Sequence, residues 1–181
     1  SFFGAVNAFA ITEDGSLWVG TDDGLNRLRP TNDKFESLNT STTPALSSSI
    51  VMSLLSDGES LWVGTYDGGL NKLDFGQNNL KSFRHEPGNR NSIGANGITS
   101  LLRLSTGQLL IGTYGGGLSI YRDTDGQFIN LTNNLHDPLS ISNNMVLKIF
   151  EDSMGAVWVG TENGLNRFDP VSNQFTRYYT E

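Results

Sequence analysis

Leu17-Trp18-Val19-Gly20-Thr21 recurs as Leu61-Trp62-Val63-Gly64-Thr65 and as Val157-Trp158-Val159-Gly160-Thr161, and a degenerate copy reads Leu109-Leu110-Ile111-Gly112-Thr113. The four glycines are spaced 44, 48 and 48 residues apart. Self-similarity at such a period marks a repeat architecture, in which one supersecondary unit stacks on its neighbours to bury a core. A second landmark follows each copy: Gly24-Leu25-Asn26-Arg27, Gly69-Leu70-Asn71-Lys72, Gly117-Leu118-Ser119-Ile120 and Gly164-Leu165-Asn166-Arg167. Ten residues beyond each of these leucines stands another apolar residue: Phe35, Leu80, Phe128 and Phe175.

Each repeat parses into four short strands. The first strands are Ala5–Ile11, Ile50–Leu55, Ile98–Leu104 and Met145–Phe150. Each ends in a turn built on Glu13-Asp14-Gly15, Asp57-Gly58, Thr106-Gly107 or Ser153-Met154-Gly155, where glycine supplies a positive φ cheaply. The Trp-Val-Gly-Thr segments, the Leu-Asn-Arg segments and the runs opening at Phe35, Leu80, Phe128 and Phe175 supply the other three strands. No helical 3.6-residue periodicity competes with this pattern. The reading is all-β, with four four-stranded antiparallel blades of a β-propeller that form a fragment of a larger propeller. One domain over 1–181 is expected, with repeats at about 5–38, 49–83, 97–131 and 144–179. A four-stranded sheet cannot bury both faces alone, so Trp18, Trp62 and Trp158 are expected to pack between blades. The recurring Gly-Thr is expected to admit close backbone approach.

Composition narrows function. Of 181 residues, 36% are hydrophobic, 17% are charged and 21 are glycine, a profile of short strands and tight turns. There is no cysteine, which excludes disulfides, thiolate metal sites and cysteine nucleophiles. The net charge of −7 argues against a nucleic-acid partner, which needs a basic face. No apolar run reaches the ~18–20 residues that span a bilayer, so no membrane contact by this segment is expected. Ser1-Phe2-Phe3-Gly4 lacks the basic and apolar regions of a signal peptide, and none is expected.

Chemical motifs are sparse. His85 and His136 stand at equivalent repeat positions, and two ligands without a third make no metal site. Each is expected to anchor the turn between repeats. Asp123-Thr124-Asp125-Gly126 resembles the start of a calcium loop but lacks the remaining ligands, so a polar turn is expected. Tyr114-Gly115-Gly116-Gly117 is no phosphate loop, because no helix follows it. No catalytic residue, cofactor or metal is expected.

The turns after the second strands differ from copy to copy, and variable loops on a rigid scaffold are where binding concentrates. The candidate ligand-binding residues are therefore Asp22, Asp23, Tyr66, Asp67, Tyr114, Glu162 and Asn163. Tyr66 and Tyr114 occupy equivalent positions, suited either to stacking on the apolar face of a sugar or to packing against adjacent loops.

The consensus Asp-x-x-Gly-x-Leu-Trp-Val-Gly-Thr-x-x-Gly-Leu-Asn-Arg-x-Asp-Pro, best kept at Asp152–Pro170, resembles the two-component regulator propeller repeat. The linkers agree: His85-Glu86-Pro87 with Ser92-Ile93, and His136-Asp137-Pro138 with Leu139-Ser140. Leu110 departs from the tryptophan, and the first repeat has no preceding His-acid-Pro. The resemblance implies a periplasmic sensor region of a bacterial membrane receptor whose output is a histidine kinase or a diguanylate cyclase. It also implies a small-molecule ligand, with oligosaccharides as the ligand class. Two alternatives stand beside it: a platform for protein interaction or dimerisation, and an enzyme of the propeller lyase or lactonase kind. If the repeats come from a larger ring, the outer blades expose apolar faces, and self-association is expected, with two chains closing one eight-blade ring.

Overall fold

The computed structural model describes residues 4–31, 33–42, 44–77 and 79–179. The strands are β1 (Val6–Ile11), β2 (Leu17–Thr21), β3 (Gly24–Leu28), β4 (Phe35–Leu38), β5 (Val51–Asp57), β6 (Ser60–Thr65), β7 (Leu70–Asp74) and β8 (Asn79–Phe83). They continue as β9 (Ile98–Arg103), β10 (Leu109–Thr113), β11 (Leu118–Arg122), β12 (Gln127–Leu131), β13 (Val146–Glu151), β14 (Val157–Thr161), β15 (Gly164–Asp169) and β16 (Gln174–Tyr178). No helix occurs among the described residues. The strands form four sheets of four, each in sequence order, as β-propeller blades are built.

Local chemistry explains each blade. The turns after the first strands place Gly15, Gly58, Gly107 and Gly155 at positive φ, as the sequence predicts. Registers repeat as well. Trp18 stands opposite Arg27, Trp62 opposite Lys72 and Trp158 opposite Arg167. The cation lies over the ring in two of these pairs, with Arg27 at 5.1 Å from the Trp18 centroid and Lys72 at 5.0 Å from Trp62. The first strand of the first, second and fourth blades carries the same bulge, directly after Val6, Val51 and Val146. A bulge re-aims the side chains beside it.

The chain divides into two compact units. The first comprises Ser1–Arg84 with Asn96–Ile98, and the second His85–Ala95 with Thr99–Glu181. In the first, Trp18, Leu25, Leu46, Val51, Leu61, Val63 and Leu73 form one core, drawn from both of its blades. Trp18 stacks on Phe75 of the following blade, with centroids 5.8 Å apart. In the second, Leu110, Leu118 and Ile120 of one blade pack with Val146, Ile149, Val157, Val159, Phe168 and Phe175 of the next.

The tryptophans are not equivalent. Trp18 packs between blades, as expected. Trp62 is fully buried and stacks on Phe83 of its own blade. Trp158 packs on Tyr178 of its own blade with the rings tilted by 47°, and is only half-buried. The glycine of each Trp-Val-Gly-Thr segment is also approached differently from expectation. What comes close to Gly20 and Gly112 is a side chain of the next blade, not backbone.

Polar side chains tie the blades to the connections between them. Asn71 is fully buried; its amide donates to Ser47 Oγ at 2.7 Å, and its carbonyl oxygen accepts from Ser47 N and Ser82 Oγ. Asn166 repeats this, donating to Ser142 Oγ at 2.9 Å and accepting from Ser142 N at 2.9 Å. A buried amide with its donors and acceptors satisfied stabilises the fold, whereas an unsatisfied one would cost about 1–3 kcal/mol.

Candidate functional site

The seven candidate binding residues all lie on the turns that follow the second strands, and all are exposed. A shared hydrogen-bond pattern shapes these turns. The hydroxyls of Thr21, Thr65, Thr113 and Thr161 donate to the carbonyls of Gly24, Gly69, Gly117 and Gly164, at 2.7–3.0 Å. The same hydroxyls accept backbone N–H groups from Asp23, Gly68, Gly116 and Asn163. The threonine thus fastens the turn from inside and leaves the residues after it facing solvent.

In the first unit, Asp22 Oδ1 accepts a hydrogen bond from Asn7 Nδ2 at 2.8 Å, and the Asp67 carbonyl accepts one from Arg84. Tyr66 is 57% exposed, held by its backbone N–H to the Ile50 carbonyl. In the second unit, Tyr114 is 51% exposed and forms an isolated bridge to Met145, whose carbonyl also accepts the Glu162 N–H. Asn163 lines a cavity of about 400 Å³ with Gly164, Leu165, Tyr178 and Tyr179. The structure therefore brings Asp22, Asp23, Tyr66 and Asp67 to the same kind of turn in one unit. It does the same for Tyr114, Glu162 and Asn163 in the other.

A hollow of the first unit lies elsewhere, at the turns after the first and third strands. A cavity of about 650 Å³ is bordered by Asp14, Trp18, Arg27, Arg29, Glu36 and Phe75, among others. Its rim is self-paired: Arg27 meets Asp14, and Arg29 meets Glu36 at 3.0 Å. Sequence reasoning passed over this end of the blades. The signal was available in Asp14 of the turn after the first strand and in Arg27 opposite Trp18.

Those turn aspartates hold the tryptophans in place. Trp62 Nε1 donates to Asp57 Oδ2 at 3.0 Å and Trp158 Nε1 to Asp152 Oδ2 at 2.9 Å. In the first blade a threonine intervenes, with Trp18 Nε1 donating to Thr12 Oγ1, which donates to Asp14 Oδ1. Hydrogen bonds to the ionised form depress a carboxyl pKa. The Thr12 hydroxyl, then the Ser16 N–H, hold Asp14 far below the usual carboxylate range. The Trp158 indole, then the Ala156 N–H, lower Asp152, and the Ser172 hydroxyl, then the Val171 N–H, lower Asp169.

A folded-state pKa below the unfolded value means that the folded state binds fewer protons in that window, so acid favours unfolding. This stabilisation is complete above about pH 4, the unfolded aspartate value, and is lost as the pH falls through the folded values. The melting temperature is expected to fall steadily below about pH 4. Asp14→Asn is expected to flatten that slope while lowering the melting temperature at neutral pH. A pH series of thermal melts on both proteins checks this, and an identical slope in the variant would refute it.

The remaining motifs resolve as structure. His85 Nδ1 lies 2.9 Å from the Ile93 carbonyl and anchors its turn. His136 is exposed, and its backbone N–H, donating to Asn134 Oδ1, is what engages the loop. Arg177 fastens that loop, donating to the carbonyls of Ser140 and Asp137, each at 2.7 Å. The turn with Asp123 and Asp125 pairs its carboxylates with Arg103 and Arg122, as a polar turn does. Among the described residues no group of three or more His, Asp or Glu is placed to hold a metal ion. No helix among them is long and apolar enough to cross a membrane.

Comparison with known proteins agrees with the repeat. The two-component regulator propeller family matches residues 2–23 and 140–163. Histidine kinase P4 of Formosa agariphila is 35% identical over 165 residues, which is 91% of this chain and 12% of that protein. The extracellular domain of a proposed one-component system of B. thetaiotaomicron superposes with a TM-score of 0.78 at 28% identity, over 97% of this chain and 22% of that one. The extracellular domain of a proposed hybrid two-component system from the same organism shares the fold, with a TM-score of 0.69 at 18% identity, over 98% of this chain and 30% of that one. The chain thus spans about an eighth of the curated relative it matches and less than a third of either solved extracellular domain. Four copies of the repeat, four sheets in propeller order and these likenesses agree: the chain carries repeats that resemble the two-component regulator propeller repeat, which the family model matches at residues 2–23 and 140–163.

Proposed function

We propose that this chain is an extracytoplasmic, non-catalytic part of a bacterial signalling receptor, and that it binds a small neutral ligand of the oligosaccharide class. The location rests on similarity to extracellular domains, and the signalling role on similarity to a histidine kinase. The observation that carries ligand binding is the pair of exposed tyrosines, Tyr66 and Tyr114, presented by equivalent threonine-fastened turns. An aromatic ring offers an apolar face beside a hydroxyl, which is what a pyranose with one apolar face and a rim of hydroxyls requires. Beside Tyr66 in the first unit Asp22, Asp23 and Asp67 supply acceptors for those hydroxyls, and in the second unit, which carries Tyr114, Glu162 and Asn163 supply acceptors and an amide donor.

The test is calorimetric titration of the chain with short cello-, xylo-, manno- and laminari-oligosaccharides. One of these is expected to bind saturably. The Tyr66→Ala/Tyr114→Ala double variant is expected to lose at least about fivefold in affinity, since each ring contact is worth roughly 0.5–1.5 kcal/mol and 1.4 kcal/mol is tenfold. Its melting temperature is expected to stay within about 2 °C of the parent, because exposed substitutions change stability little. Failure of every oligosaccharide to bind, or full binding by the double variant, would reject this reading. Turnover of a bound oligosaccharide would overturn the non-catalytic assignment.

A further inference from the structure

The hollow bordered by Trp18 and Phe75 is opened by a short connection between two blades. From the end of one blade to the buried residue that follows it, Ile93 or Ile141, the chain takes nine residues, 84–92 and 132–140. From Leu38 to the equivalent Leu46 it takes seven, 39–45. In the second unit Leu139 of the longer connection enters the counterpart hollow, bordered by Phe168, Pro170 and Phe175, and its carbonyl accepts the Phe175 N–H at 2.8 Å. That hollow holds about 390 Å³. In the first unit Leu73 and Phe75 stand at the sequence positions of Phe168 and Pro170. Among the described residues none of 39–45 borders the hollow there, and it holds about 650 Å³. Both of its walls and the connection between them lie within the chain, so its openness is a property of this pair of blades.

The walls are fixed by their own backbone. The Gly15 N–H donates to the Thr12 carbonyl at 2.8 Å and closes the turn that carries Glu13, and the Phe75 N–H donates to the Glu59 carbonyl at 3.0 Å. Phe75 and Leu38 are half-buried and offer apolar surface, backed by the buried Trp18 and Leu73. The charged lining divides into paired and unpaired groups. Arg27 is paired with Asp14 and Arg29 with Glu36. Glu13 comes from the first blade and Glu59 from the second, and both are exposed. Among the described residues neither of these two carboxylates has a hydrogen-bond or ion-pair partner. The unbalanced charge of the hollow is therefore that of two carboxylates beside an apolar surface.

We propose that this hollow binds an organic ammonium cation with an aromatic or aliphatic body. Its volume falls in the range of roughly 300–1,000 Å³ usual for small-molecule sites. The body lies on Phe75 and Leu38, and an aromatic ring gains from stacking on Phe75. An ammonium group carries three donors for Glu13 and Glu59, and such charge-assisted bonds are stronger than neutral ones. A neutral analogue of the same shape lacks that gain. An anionic one meets two like charges, while Arg27 and Arg29 are already committed to Asp14 and Glu36. The hollow opens at the turns after the first and third strands, the opposite end of the blades from Tyr66 and its neighbours. It is thus separate from the turns proposed to bind sugar.

Calorimetric titration with tryptamine, tryptophol and indoleacetate tests this, because the three share one ring and side-chain length and differ in charge. The titrations are run in about 20 mM salt, where attraction to exposed carboxylates is little screened. Tryptamine is expected to bind saturably with one site per chain, at least about tenfold more tightly than tryptophol, and indoleacetate is expected not to bind. Glu13→Gln/Glu59→Gln is expected to weaken tryptamine binding at least about fivefold. Its melting temperature is expected to stay within about 2 °C of the parent, since both residues are exposed. Glu86→Gln/Asp137→Asn makes the same change of net charge at exposed positions of the second unit and is expected to bind tryptamine like the parent. Absence of tryptamine binding, equal binding of tryptophol, or full binding by the Glu13/Glu59 variant would overturn the proposal. An equal loss in the Glu86/Asp137 variant would overturn it too, by reducing the effect to overall charge.

Discussion

Trp62→Ala is expected to destabilise the protein by about 3–5 kcal/mol, the range for removing a fully buried large aromatic. Trp62 is at 0% exposure, stacks on Phe83 with centroids 5.9 Å apart, lies under the Lys72 ammonium and donates to Asp57. Truncation removes the ring's packing and leaves a cavity that the surrounding strands cannot close, because their spacing is set by backbone hydrogen bonds. It also strips Asp57 of its indole donor. For a chain of this size the melting temperature should drop by roughly 6–20 °C, at 2–4 °C per kcal/mol. Trp158→Ala removes the same ring from the same motif where it is half-buried, and should cost less than half as much. Thermal melts of the two variants at low concentration decide the matter. Equal losses would mean that Trp158 is covered as completely as Trp62.

Gly64→Val and Gly160→Val change the same letter of the same repeat and are expected to behave in opposite ways. At Gly64 the new Cβ would overlap Ser53 Oγ and lie 2.6 and 2.8 Å from Ile98 Cγ2 and Cβ. Relief requires the first strand of the next blade to move or Ile98 to leave its place. Overpacking of this kind costs about 1–3 kcal/mol and occasionally more. Here a hydrogen bond from Ser53 to the Ile98 carbonyl is lost with it, worth about 0.5–1.5 kcal/mol more, and a drop of roughly 3–18 °C is expected. At Gly160 nothing approaches within 3.8 Å, and a β-branched residue suits a strand better than glycine does. Gly160→Val should be neutral or raise the melting temperature slightly in dilute solution. Two thermal melts decide this, and a severe loss at Gly160 or none at Gly64 would contradict this geometry.

Much of the blade was readable from local chemistry. Alternating apolar residues, turn glycines and the constant interval from Leu25 to Phe35 and its equivalents located the sixteen strands to within about two residues of their ends, the accuracy boundaries usually allow. The first-strand turns were readable because a positive φ is a property of one glycine and its neighbours. The candidate site was readable as exposed turns after the second strands, because the threonine that fastens each of them sits within four residues of its partner.

What lay beyond reach depended on partners distant in the chain. The Gly-Thr glycine invited a reading of backbone approach, and the approach is by a valine or isoleucine more than thirty residues further on. Three tryptophans in one motif read as three packing residues between blades, yet Trp18 stacks on Phe75 of the next blade, while Trp62 and Trp158 meet aromatic rings of their own blades and differ in burial. His85 and His136 occupy equivalent positions, but His85 reaches a carbonyl with its ring while His136 is exposed and Arg177 secures its loop. The hollow bordered by Trp18, Arg27 and Phe75 forms where two blades of one unit meet, so no single repeat contains it. Period, strand order and turn type follow from interactions within one repeat, and the sequence alone determines them. Which glycine is filled, which tryptophan is covered and where the cavities open follow from contacts between repeats, whose register is decided only when the blades pack.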